Sequence, residues 1–142
     1  MIADFHSPGY EFLSNFYMTP VLWEGILYTS SEHAYQASKT LDPNIRKAIS
    51  LLSTPGKAKR AKKNFVQRPD WNDRLKLLTM EAILRIKFQD PKLRALLDAT
   101  KGQELIEGNT WGDVFWGVCN GKGKNHLGTI LMNIRDEHDW CI

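Results

Sequence analysis

A chain of 142 residues, 42% hydrophobic and 25% charged, has the make-up of one folded domain with a core and excludes a disordered or low-complexity protein. Its net charge of +3 is local: Lys57, Lys59, Arg60, Lys62 and Lys63 crowd one stretch without an acid, either as a solvated lysine-rich helix or as an attraction for a phosphate-bearing partner, nucleotide or nucleic acid. No apolar run approaches a membrane span, Met1 to His6 form no secretory signal, and Cys119 and Cys141 are too few for a disulfide framework, so a cytoplasmic protein with reduced thiols is expected.

The first 30 residues mix aromatics with Pro and Gly. Val21-Leu22-Trp23 and Ile26-Leu27-Tyr28 flank Glu24-Gly25 and predict a hairpin. The next stretch, Thr29 to Lys39, reads as a helix start. Thr29-x-x-Glu32 matches a capping box, in which the carboxylate turns back to a backbone N–H. On a helical wheel Ala34, Ala37 and Leu41 form a narrow apolar strip, with Glu32, Gln36 and Lys39 roughly opposite. A cap plus a solvated polar face accounts for this window by itself.

Pro43 opens a helix through Leu52, and Thr54-Pro55 supplies an N-cap and a first-turn proline ahead of the basic stretch. Leu75, Leu78, Ala82, Ile83, Ile86 and Phe88 predict a long helix from about Asn72 to Gln89. Asp90-Pro91 restarts a helix through Leu97, and Leu105-Ile106-Glu107 reads as a short strand. A last helix runs from Leu127 to about His138, with Leu127, Ile130, Leu131 and Ile134 as its apolar stripe. Helices outnumber strands, so the expected fold is α+β: a single helix-rich domain over residues 1–142 with a small N-terminal β-hairpin or short sheet.

The segment from Glu107 to Gly117 is unusual for a core element, with two Trp-Gly pairs around Asp113. It leads into Asn120-Gly121-Lys122-Gly123-Lys124-Asn125-His126-Leu127-Gly128. Glycines there let the backbone approach a ligand closely, and the helix that follows offers free N–H groups to an anion. Neither the Walker A nor the GxGxxG spacing is present, and a flexible surface turn explains the same residues. No CxxC or HExxH pattern suggests a metal, and no metal or cofactor is expected.

Several segments occur in order: Phe12-Leu13-Ser14-Asn15-Phe16, Ser31-Glu32-His33-Ala34-Tyr35-Gln36-Ala37-x-Lys39, Lys87-Phe88, Asp113-x-Phe115-Trp116-Gly117 and Gly123-Lys124-Asn125-x-Leu127-Gly128-x-x-Leu131-Met132-x-x-Arg135. Each is weak alone, but the ordered set resembles the NADAR family from about Phe5 to Arg135. The resemblance implies an N-glycoside hydrolase that cleaves a ribosyl C–N bond of a phosphorylated compound. Two substrate classes follow: ribosylamino-pyrimidine phosphates of the riboflavin pathway, or ADP-ribosylated guanine in nucleic acid, toward which the basic stretch leans.

Such cleavage builds positive charge on the sugar, which a nearby carboxylate stabilises while activating water. By the resemblance, Glu32 and Asp113 are the catalytic candidates, with the division of roles left open. Asn15, Gln36, Lys39, Trp71, Trp116, Lys122, Lys124 and Asn125 are the substrate-binding candidates, with Arg60 a further phosphate contact. Trp71 and Trp116 offer flat faces to a base or sugar, against ordinary core packing. Lys39 could bind phosphate or depress the Glu32 pKa. For Glu32, cap and catalyst are competing readings. The different-class alternative is a non-catalytic ADP-ribose or nucleotide-binding module; a small nucleic-acid-binding protein is a weaker one, since no nucleic-acid motif accompanies the lysines. No membrane partner is expected, and the oligomeric state is open.

Overall fold

The computed structural model describes residues 1–137. Cys141 and the expected helix end at His138 lie outside the described residues. The chain forms two compact units, Asn15–Lys87 and Met1–Ser14 with Phe88–Ile142. Elements and burial give the expected α+β, helix-rich fold.

In the Asn15–Lys87 unit, β1 (Met18–Trp23) and β2 (Ile26–Ser30) pair antiparallel, with Trp23 opposite Ile26. Glu24 and Gly25 both take positive φ, 46° and 84°, the type I′ geometry whose twist matches that of the strands. Alternation then decides the faces: Val21 and Tyr28 are fully buried, whereas Leu22 and Leu27 point to solvent. The hairpin runs directly into α1 (Ser31–Ala37), on which β1, β2, α2 (Pro43–Ser50), α3 (Pro55–Arg60) and α4 (Asp73–Lys87) all pack. Every residue of α1 is therefore buried. Asp42 and Thr54 cap α2 and α3 through their side-chain oxygens, each followed by proline. A 3-10 turn, Ala61–Asn64, continues α3.

Three expectations in this unit are corrected. The N-cap of α1 is Ser30, whose Oγ accepts the His33 N–H at 3.1 Å, so Glu32 sits one position too early for a capping box. The side supposed to be solvated is inside: Glu32, Gln36 and Lys39 are 7%, 3% and 8% exposed, while Leu41, beyond the helix end, is 64% exposed. In α4 the buried face is Met80, Ile83, Leu84 and Lys87; Leu78 is exposed, so the periodic stripe was out of phase.

The other unit is built on α5 (Pro91–Asp98) and α6 (His126–Asp136). Asp90 Oδ1 caps α5 by accepting from the Lys92 and Leu93 N–H groups. The expected stripe of α6, Leu127, Ile130, Leu131 and Ile134, is buried, as are Phe5, Leu13, Phe88, Leu97 and Leu105. Phe12 and Phe88 meet edge to face at 6.5 Å. Arg135 is 6% exposed and donates to the carbonyls of Thr100 and Gln103, bracing the chain that leaves α5. Leu105–Glu107 is not a strand: only Leu105 bridges, in parallel, to Ile2. The pairing falls one step later, where β3 (Gly108–Asn109) runs parallel to β4 (Val118–Cys119). Among the described residues no helix is long and apolar enough to cross a membrane.

Candidate active site

Glu32 projects from a helix that has no solvent face. Its Oε2 accepts from Gln36 Nε2 at 3.2 Å, and no backbone N–H reaches the carboxylate. The cap that would have consumed it is made by Ser30 instead. Asn15 holds the start of α1: its carbonyl accepts the Glu32 N–H at 3.1 Å and its Oδ1 accepts the Ser31 hydroxyl at 2.8 Å. His33 locks the same turn, with Nδ1 at 2.6 Å from Ser30 Oγ and Nε2 at 2.9 Å from the Leu52 carbonyl. Donation from Nε2 to that carbonyl leaves Nδ1 to accept from Ser30, a neutral tautomer that burial reinforces by lowering the His33 pKa.

Two of the candidate side chains carry a buried polar atom without a partner among the described residues. Gln36 Oε1 and the Trp71 indole N–H make no hydrogen bond, though each is shielded from solvent. Such groups cost free energy unless something pairs with them. The Lys39 ammonium stands 5.4 Å over the Tyr35 ring, which in turn lies 5.5 Å from Trp71. Among the described residues no carboxylate is within ion-pair distance of Lys39. Trp23 is the contrast: its indole donates to Ser38 Oγ at 2.8 Å, an ordinary satisfied packing role.

Electrostatics here are decided by burial first. Desolvation raises the Glu32 pKa, and the Gln36 hydrogen bond and the charges of Lys59, Lys39 and Lys62 oppose it without prevailing. The expectation that Lys39 would depress Glu32 therefore holds for the sign of that one interaction and not for the sum. Burial also lowers Lys39 to about 8, helped by Lys62, Lys76 and Lys59 and opposed by Glu32.

Asp113, Trp116, Lys122, Lys124 and Asn125 belong to the other unit. Asp113 Oδ1 accepts from the Phe115 and Trp116 N–H groups at 3.1 and 2.9 Å, and Asn109 clasps the Asp113 backbone from both sides. This Asx-type turn sets the two aromatics that follow. Trp116 and His126 each meet Phe115 edge-on, at 4.9 and 4.7 Å. Asn125 has φ 52°, and both ends of its amide are committed: Oδ1 accepts the Glu107 N–H and Nδ2 donates to the Leu105 carbonyl, each at 2.9 Å. Lys122 and Lys124 are exposed; their backbones pair with Cys119 and Val114.

The glycines of this segment were expected to admit a ligand; Gly121 faces open space, but three others admit the chain itself. A Cβ at Gly117, Gly123 or Gly128 would strike the carbonyl of Glu107, Gly117 or Leu105 respectively. Sequence reasoning also missed Lys59, Lys62 and Lys76 as side chains whose charge acts on the Glu32 region. The signal was available in part: Thr54-Pro55 sets the phase of α3, which carries Lys59, and Lys62 follows three residues on in the 3-10 turn. Arg60, the expected phosphate contact, is exposed and ends α3. Among the described residues no group of three or more His, Cys, Asp or Glu side chains could hold a metal.

Comparison with known proteins agrees with the ordered motifs. The NADAR domain family matches residues 4–138. An N-glycosidase YbiA of Shigella boydii is 39% identical, over 96% of this chain and 88% of its own. A riboflavin biosynthesis protein of Vibrio vulnificus is 37% identical over 94% of this chain, which spans only 37% of that longer protein. The solved structure of Escherichia coli YbiA superposes with a TM-score of 0.82 at 38% identity, over 94% of this chain and 81% of that one. A match over nearly the whole length, with Glu32, Asp113 and their motifs in order, makes this chain a member of the NADAR family.

Proposed function

We propose that this enzyme, an N-glycosidase, hydrolyses the ribosyl C–N bond of a phosphorylated ribosylamino-pyrimidine of the riboflavin pathway, with Glu32 at the reacting carbon and residues 1–142 acting as one catalytic domain. The observation that carries the reading is the state of Glu32: a carboxylate 7% exposed, with no cap and no ion pair, beside buried polar groups that lack partners. A buried polar group without a partner calls for one, and a bound substrate supplies it.

In the reaction the C–N bond breaks with its electron pair going to nitrogen, and positive charge grows on the ribose. Glu32 faces that charge as a carboxylate and takes a proton from the water that adds to the anomeric carbon. The departing nitrogen gains a proton and Glu32 gives up the one it took, so one water is consumed and ribose phosphate and the amino-pyrimidine are released. Gln36 holds Glu32 in place and turns its free Oε1 to a substrate donor. Trp71 offers its ring face and its unpaired N–H. Lys39 attracts the substrate's negative charge. Asp113 is the second required carboxylate, and Trp116 a second flat face. Asn15 and Asn125 act through the backbones they hold. Lys122 and Lys124 supply outlying positive charge.

The riboflavin-pathway class is favoured because relatives bear that name. The exposed basic stretch keeps ADP-ribosylated guanine in nucleic acid as the second substrate, which would make the protein an ADP-ribose-recognising, nucleotide-binding enzyme of the cytoplasm. Incubating the protein with a ribosylamino-pyrimidine phosphate, and separately with ADP-ribosylated DNA, distinguishes them by which one releases its sugar. Hydrolysis of the first, lost in Glu32→Gln, is the expected result. Binding of either without any release supports a non-catalytic module and ends the proposal.

A further inference from the structure

We propose that Lys39, Lys59 and Lys62 form a cradle for a terminal phosphate monoester, through which the enzyme selects phosphorylated over unphosphorylated ribosides. The inference deepens the reading of Glu32 as the reacting carboxylate and divides the basic stretch into lysines that serve the site and lysines that do not.

The geometry begins with α1. Lys39 follows its last turn, and α3, which packs on α1, carries Lys59. Lys62 follows on the 3-10 turn, three residues further and on the same side. Lys59 is half-buried, its ammonium 6.0 Å over the Phe16 ring. Lys39 is 8% exposed, and no carboxylate pairs with it. A cation that is nine-tenths buried without a counter-ion is costly, and the group that would offset it is an anion brought by the ligand.

Charge counting points the same way. The charges of Lys39, Lys59 and Lys62 all act on Glu32, and those of Lys59, Lys62 and Lys76 act on Lys39. Lys76 is partly neutralised by Asp73 at 3.6 Å. Three ammonium groups on one side of the site suit a terminal phosphate, with about −1.5 to −2 charges, better than a strand phosphodiester with one. By contrast Lys57, exposed on α3, is tied to Ser53 Oγ at 3.0 Å, and Lys63 is exposed. These two are placed outside the cradle.

The test measures binding of ribose 5-phosphate by calorimetry, so no bond cleavage is needed. Wild type is compared with Lys59→Met/Lys62→Met and with Lys57→Met/Lys63→Met, using ribose and a single-stranded oligonucleotide as the other ligands. The first pair is expected to weaken ribose 5-phosphate at least about 30-fold, and the second less than about threefold. Lys62 is exposed, so Lys62→Met alone, expected to weaken binding roughly tenfold, carries the test if the double variant melts early. Equal losses in both pairs would overturn the cradle. So would a 59/62 pair that loses oligonucleotide binding while keeping ribose 5-phosphate. If hydrolysis fails but ribose 5-phosphate still depends on Lys59 and Lys62, the catalytic reading falls and the phosphate site stands.

Discussion

At the scale of single residues, the account turns on charges that the fold keeps out of water. Burial holds the Glu32 pKa above its usual value. A carboxyl so raised contributes stability that is present below its unfolded pKa and lost as pH rises through the folded one. Glu32→Gln removes that charge, so at pH 7.5 the variant should melt higher than wild type, while hydrolysis falls at least about 100-fold. Thermal melting and a product assay on the same preparation read both. His33 carries the opposite sign. Its lowered pKa gives stability that is present above the unfolded value and lost as pH falls below about 6.5, so a melting scan toward pH 5 should show a loss that His33→Gln reduces. Trp71→Phe removes a buried N–H that lacks a partner; melting should stay level or rise, and KM should increase. Phosphate affinity should fall as pH climbs past about 8, where Lys39 begins to lose its proton. The sequence showed that Glu32, Gln36 and Lys39 share a side of a helix. It could not show that this side is indoors, because periodicity reports spacing and not which neighbours arrive to cover it.

At the scale of elements, local chemistry was readable where it was self-sufficient. Glu24-Gly25 announced a hairpin, Thr54-Pro55 and Asp90-Pro91 announced helix starts, and the apolar stripe of α6 was in phase. The stripe of α4 was misread because the helix buries Met80 and Lys87, residues that a simple apolar count passes over or excludes. The glycine-rich segment was misread for a related reason. Glycine marks close backbone approach, but sequence does not say whether the approaching group is ligand or chain. Here it is chain, so Gly117→Ala and Gly128→Ala should cost more than about 3 kcal/mol each, read as early melting. Asn125→Ala should cost about 2 kcal/mol, because two backbone groups lose partners and a left-handed residue loses its tolerance. Asn125→Gly restores the backbone freedom without the hydrogen bonds and should fall between.

At the scale of the whole molecule, the motifs are spread over both compact units: Glu32 in one, Asp113 and Trp116 in the other. Family membership was legible from their order along nearly the full chain, a form of information that no single window holds. The proposal to be tested most directly is that hydrolysis requires both Glu32 and Asp113. The direct measurement is kcat/KM for ribosylamino-pyrimidine phosphate hydrolysis by wild type, Glu32→Gln, Asp113→Asn and the double variant, with melting curves to confirm folding. Each single substitution should lower kcat/KM at least about 100-fold, and the double should lose little more than the worse single, as residues acting as a unit do. Hydrolysis undiminished in both folded single variants would contradict it.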